Sequence, residues 1–302
     1  MAPPRKAPKA KARARAKQAW LPPPAPPKVP LPPVFPHRWA CAYGEDEFGL
    51  WQAFVVKGVR QMLRWIPPGA FWLGSPKFEP GRTDDDDWAA ETRRHVTLTR
   101  GFWLADTACT QALWEAVLGE NPSRITDDPT NPVVQVSWND VKREFLPTLN
   151  RLVPGLEAEL PSEARWEYAC RAGTKTPFWF GKQITPEQVN CNGYFTYAKG
   201  AKDEYWGRGK PVPVKSLQAN GWGLYEMHGN VQEWCEDVMG KYPKEAMVDP
   251  RGPQDGATGG ARVLRGGSYG NSSVFCRSAH RFANHPGDRS RFIGFRLARG
   301  AD

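Results

Sequence analysis

Cysteine is scarce and unpatterned in this chain: six in 302 residues, at positions 41, 109, 170, 191, 235 and 276, with no C-x-x-C pair. That excludes a zinc framework and a disulfide-stapled scaffold, and it fits a reduced, cytoplasmic setting. No apolar run reaches the roughly 18 residues of a membrane-spanning helix, so no membrane partner is expected. The basic start is followed by prolines, where a secretory signal would need an apolar stretch. Histidine is sparse too, and His37, His95, His228, His280 and His285 form no H-x-x-x-H pair.

The first forty residues lack Asp and Glu altogether while carrying nine Lys and Arg. The remaining 32 Lys and Arg match the 32 Asp and Glu, so the net charge of +9 belongs to an arm and not to a basic domain. Twelve of the thirty prolines fall in residues 1–36. A segment so poor in backbone donors and apolar periodicity is expected to be a disordered, proline-rich tail over 1–40. Two uses stay open for its residues 1–38: a solubilising linker, or a contact with nucleic acid or another acidic partner.

From Cys41 to the end at 302 the composition is that of one globular domain, with fourteen tryptophans and fourteen phenylalanines in the chain. Residues 54–66 alternate as two strands around a Lys57-Gly58 turn. Pro67 to Ser75 reads as a turn and a short strand, and 95–99 and 101–105 read as strands. Three stretches have helical spacing: 110–118 with Thr110 as cap and Gly119 as stop, 137–150 with a bend at Pro147, and 162–171 capped by Ser162. Beyond Gly173 the chain reads as loops. Short strands, two to three helices and many long loops predict an α+β fold.

Four separated stretches carry a family resemblance: Pro67-Pro-Gly-Ala-Phe-Trp-Leu-Gly-Ser75, Leu160 to Gly173, Gly223 to Trp234, and Arg265-Gly-Gly-Ser268 with Gly294-Phe-Arg296. Together they resemble the formylglycine-generating-enzyme, or sulfatase-modifying factor, superfamily. That resemblance implies a C-type-lectin-like fold with long loops, one that hosts oxidases, iron-dependent sulfoxide synthases and non-enzymatic binders.

The resemblance also implies where oxidase chemistry would sit. The family's oxidase uses two cysteines five positions apart that bind Cu(I), and counting from Arg265-Gly-Gly-Ser268 places them at Asn271 and Cys276. An amide does not replace a thiolate on Cu(I). Cys276 is therefore the one catalytic alternative, and no catalytic residue is expected otherwise. The three-histidine iron site of the sulfoxide synthases has no counterpart here.

The run from 262 to 298 is also similar to the diversified segment of variable proteins from diversity-generating retroelements. Those segments are rewritten at template adenines, chiefly in asparagine codons, which cannot yield Lys, Glu, Gln, Met or Trp. Gly270, Ser272, Val274, Phe275, His280, Phe282, Ala283, His285, Asp288, Ser290, Arg291 and Phe292 all obey that rule. Arg265-Gly-Gly-Ser268, Arg277, Arg281, Arg289 and Ile293 to Ala298 resemble the constant frame. With Tyr269 and Cys276 added, these positions form the expected ligand-binding set: aromatic anchors among adaptable polar groups. The predicted function is thus non-enzymatic display of a diversified surface to a ligand, most simply a protein. The alternatives are an oxidase of sulfatase cysteines or a degenerate relative, and nucleic-acid tethering through the tail. Constant arginines are expected to bond loop carbonyls and hold the backbone while neighbours vary.

No cofactor is required by this reading. A structural Ca2+ is implied by the resemblance of Gly229-Asn-Val-Gln-Glu233 to a family calcium loop, with Gly229, Asn230, Val231 and Glu233 as ligands. A hydrogen-bonded loop is the open alternative there, and Asn190 would mark a second such site. Asp84 to Asp87 reads as a solvated loop, since four consecutive carboxylates cannot face one ion. Cys235 is expected as a buried core thiol.

Overall fold

A computed structural model describes residues 30–83, 87–193, 197, 207–253 and 260–300. The apolar alternation after Cys41 becomes a meander of β1 (Ala42–Asp46), β2 (Gly49–Val56) and β3 (Val59–Ile66). Lys57 and Gly58 take φ of 45° and 86°, the paired positive angles of a tight two-residue hairpin turn. β4 (Gly69–Leu73), β5 (Arg94–Leu98) and β6 (Phe102–Ala105) follow where the sequence pattern places strands. β6 and β12 (Ala298–Gly300) extend the meander into a five-stranded sheet, with β12 on the edge opposite β1.

Helix α1 (Gln111–Leu118) starts where the Thr110 hydroxyl accepts the Leu113 amide and stops at Gly119, whose φ of 88° is left-handed. The second helical run begins at Ser137, which shares a reciprocal capping box with Asp140. It passes through α2 (Trp138–Asp140), a π turn over Val141–Phe145, and α3 (Leu146–Leu152). The expected bend at Pro147 takes the form of that π turn, closed by a bond from the Leu146 amide to the Val141 carbonyl. The wider turn precedes a proline ring that would clash with a carbonyl four residues back in a regular helix. α4 (Glu163–Arg171) is capped by Ser162 as expected.

The region after Gly173, read as loop, holds strands as well. β7 (Gln232–Val238) is central to a four-stranded sheet in the order β10 (Phe282–Asn284), β9 (Arg262–Arg265), β7, β11 (Ile293–Phe295). The two-residue β8 (Met247–Val248) pairs with β5. β7 hides from a period-two reading because Gln232, Glu233, Trp234 and Cys235 are all buried, whichever face they occupy. The core is aromatic: Trp103, Trp166, Trp234, Phe54, Phe145 and Phe295 are fully buried.

The boundary of the tail is corrected by the structure. Residues 30–40 pack on the first sheet: Trp65 Nε1 donates to the Pro30 carbonyl at 2.8 Å, and Phe35 stacks on Trp103 at 5.8 Å. Aromatic burial here outweighs the proline-rich composition. Residues 1–29, which carry the tail reading, and Asp84 to Asp86 lie outside the described residues. Asp87 accepts the Ala89 amide at 2.8 Å and closes a local turn.

Candidate functional site

Three of the four strands in the second sheet come from the segment 262–298, and β7 separates β9 from β11. The segment is therefore pinned at its start, middle and end, and the loops between those pins form one surface. Two glycines set its course. Gly266 and Gly267 have φ of 91° and 69°, and a Cβ on Gly267 would meet the Phe275 carbonyl oxygen at 2.7 Å.

Four constant arginines, Arg265, Arg277, Arg281 and Arg296, lie beneath this surface, as buried as any aliphatic side chain. Arg265 donates to the carbonyls of Ser278, Ala279 and His280 at 2.7, 3.0 and 2.7 Å, and pairs with Glu167. Arg277 is shared between Glu79 at 2.8 Å and Glu91 at 2.6 Å, and it also bonds the Gly81 carbonyl. Arg281 grips Glu163 at 2.6 and 2.8 Å, and Arg296 grips Glu233 at 2.7 and 2.8 Å. Each buried charge is thus paired and further donors reach main-chain oxygens, as a buried guanidinium needs, although Arg265 Nε is left without a hydrogen-bond partner. Burial raises the Glu91 pKa, but contacts with His280 and Arg277 outweigh it and hold the carboxyl well below the ordinary range. Burial dominates at Glu79 and raises its carboxyl. Nearer the rim, Arg289 bonds both oxygens of Asp140 at 2.7 Å, tying the 285–292 loop to a helix cap.

The expected ligand-binding set divides. Gly270, Phe275, Phe282, His285, Asp288 and Arg291 are exposed, and Ser272, Val274, Ser290 and Phe292 are half-buried. Tyr269, Cys276, His280 and Ala283 are buried, which corrects their assignment to the surface. Local geometry explains each inward turn. The segment Ser273–Cys276 is a 3₁₀ turn, which places Ser273 and Cys276 on one side, inward, and leaves Val274 and Phe275 outward. Period-two alternation in β10 turns Ala283 in and Phe282 out. The His280 ring lies against Phe275 at 5.0 Å and 3.7 Å from Glu91, and burial lowers its pKa. Tyr269 packs against Phe292 at 5.0 Å. Phe292 fills the space where a Cβ on Gly270 would stand, 2.4 Å away, so positions 270 and 292 are coupled.

The surface also recruits residues that the sequence reading missed. Trp88 is exposed and its ring lies 6.3 Å from Phe282, and Phe78 is almost wholly exposed in the same 76–92 loop that Arg277 anchors through Glu79 and Glu91. No local pattern marks either residue; only the long-range arginine pairs bring that loop alongside the segment.

Asn271 accepts the Ser268 hydroxyl at 2.7 Å, and Cys276 packs with Phe178, Val189, Cys191 and Tyr197 in a closed apolar cluster. The neighbouring Cys191 thiol and burial push the Cys276 thiol well up. A protonated buried thiol beside an amide does not fit a two-thiolate Cu(I) site at 271 and 276. For calcium, both Glu233 oxygens are taken by Arg296, and Trp166 Nε1 donates to one of them at 2.6 Å. Asn230 Oδ1 accepts from the Val212 amide and from Asn190, while the Gly229 amide bonds Gly266. Glu233 is therefore an ion-pair partner in β7 and not a free ligand, a correction to the loop reading. Asn190 Oδ1 is buried without a hydrogen-bond partner, one neutral oxygen where calcium takes about six to eight.

A family described as the sulfatase-modifying factor enzyme 1-like domain matches residues 48–301. The formylglycine-generating enzyme of Streptomyces coelicolor is 40% identical over 190 residues, 60% of this chain and 56% of that protein. A Bos taurus relative, inactive C-alpha-formylglycine-generating enzyme 2, is 32% identical over 198 residues, covering 63% of this chain and 57% of its own length. The chain thus spans less than two thirds of the curated relatives it matches. Among solved structures, Treponema denticola variable protein 1 aligns with TM-score 0.66 at 24% identity over 82% of this chain and 98% of that one, which establishes a shared fold. The α+β architecture and the lectin-like arrangement agree with the expectation from sequence. No helix among the described residues is long and apolar enough to cross a membrane.

Proposed function

Taking as premise that the chain belongs to the sulfatase-modifying factor enzyme 1-like family, we propose that it is a non-enzymatic binder displaying a diversified surface to a protein ligand. One observation carries this reading: the frame arginines hold the segment through carbonyls and buried carboxylates, while Phe275, Phe282, His285, Asp288 and Arg291 face outward. Side chains attached to such a frame can be exchanged with little effect on folding. Exposed phenylalanines beside a histidine and opposite charges supply anchors and adaptable polar contacts for a protein partner. The fold shared with a variable protein supports the same reading. The decisive test is the neighbouring DNA. A near-copy of the codons for 262–298, differing only at template adenines and lying beside a reverse-transcriptase gene, is the expected finding; its absence overturns diversification.

A second reading, an oxidase acting on sulfatase cysteines, is favoured by the 40% identity to an enzyme of that activity. It requires thiol chemistry that Asn271 does not supply and that Cys276 offers only from within the core. Conversion of a cysteine-containing sulfatase peptide by the copper-loaded protein would establish it in place of the first.

A further inference from the structure

A cleft of about 280 Å3 opens between β4, β5 and the C-terminal end of α4, and no described residue of the segment 262–298 lines it. Four aromatic residues are among those that line it: Phe71, Tyr168 and Trp222, which pack together, and Trp72, which lies with Arg93 and His95. Tyr168 sits between two of them, its ring 5.2 Å from Phe71 and 4.9 Å from Trp222. The remaining charge in the lining is of one sign. Arg93 and Lys175 are exposed, Arg93 lies 4.7 Å from the Trp72 ring centroid, and no carboxylate among the described residues lines the cleft. Arg171, also in the lining, is already neutralised by Glu167 at 2.9 Å and by the carbonyls of Thr176 and Gly74. Thr174 contributes a buried hydroxyl oxygen without a hydrogen-bond partner.

An aromatic-walled cleft takes either a cation, through the ring faces, or a planar ring, through stacking. Charge decides between them. A cation gains a modest attraction from the ring faces. Beside an unneutralised guanidinium it meets a like-charge repulsion that outweighs that gain at a partly desolvated protein surface. An anion gains what the cation loses, and a flat apolar ring gains the stacking. We propose that this cleft binds a planar aromatic anion, a ring carrying one carboxylate or phosphate, with the ring among Phe71, Tyr168 and Trp222 and the anionic group served by Arg93, Lys175 and the Thr174 hydroxyl.

The test is titration calorimetry on the full chain at low salt with five probes: indole-3-carboxylate, adenosine 5′-monophosphate, neutral indole, tryptamine and inorganic phosphate. At least one ringed anion is expected to bind about tenfold or more tighter than indole, tryptamine and phosphate, and the tighter of the two identifies the anionic group. Arg93→Gln and Lys175→Gln, both at exposed positions, are each expected to weaken that binding several-fold with an unchanged melting temperature. Equal or tighter binding of tryptamine or indole overturns the proposal, as does indifference to both substitutions. Absence of ringed-anion binding up to about 10 mM overturns it as well.

Discussion

Replacing Arg277 by methionine tests whether the display surface is decoupled from folding. Arg277 is fully buried, bonds Glu79 and Glu91, and holds the loop carbonyl of Gly81. Methionine keeps much of the volume and leaves two buried carboxylates without their cation. Breaking a buried pair in this way costs about 3–5 kcal/mol. In a domain of this size each kcal/mol moves the melting temperature by roughly 2–4 °C, so a fall of about 10 °C is expected. On the display face, Asp288→Ala and Arg291→Ala should each stay within about 0.5 kcal/mol. Phe275→Ser, at a side chain 43% exposed, should cost about 1 kcal/mol. Urea denaturation followed by tryptophan fluorescence measures all four. The triple replacement Arg277→Met, Glu79→Leu, Glu91→Leu removes the orphaned charges and should recover most of the loss. The reasoning fails if Arg277→Met costs no more than Phe275→Ser, or if the exposed replacements each cost more than about 2 kcal/mol.

Three further outcomes are expected. Gly270→Val should destabilise the chain in the presence of Phe292, whose ring occupies the new side chain's space, and much less beside Phe292→Ala; additivity in that double-mutant cycle would refute the coupling. Burial raises the Glu226 carboxyl to about 7 from 4.5, so its contribution is complete below pH 4.5 and is lost as pH rises through 7. Burial lowers His228 to about 4 from 6.5, so its contribution is lost as pH falls through that range. Glu226→Gln should therefore remove the fall in urea stability that Glu226 adds between pH 4.5 and 7 and leave the His228 loss in place. Finally, because Glu233 is neutralised by Arg296, a calcium chelator should leave the melting temperature unchanged, and a drop of several degrees would restore the calcium reading.

Legibility along the chain follows the range of the interactions. The caps at Thr110 and Ser162 and the Lys57-Gly58 turn are local, decided within about four residues, and they read correctly. β7 did not, because its burial comes from both sides at once and erases the alternation that marks a half-exposed strand. Glu233 looked like a metal ligand because its neighbours in sequence resemble a calcium loop, whereas its actual partner is 63 residues away. The packing of residues 30–40 was hidden in the same way, since composition describes a segment in isolation and Trp65 and Trp103 supply what it lacks.

The family, the α+β class and the segment that departs from ordinary core or catalytic patterning were all determined by the sequence alone, because each is a property of residue order and type. Which side chains of that segment face a ligand was decided only in three dimensions. A 3₁₀ turn sends Cys276 inward and strand alternation sends Ala283 inward. Arginine pairs spanning up to 198 residues hold the loop that sets Trp88 beside Phe282. Those pairs form because a buried guanidinium must find its carboxylate wherever the fold brings one, and nothing in the neighbouring residues records where that is.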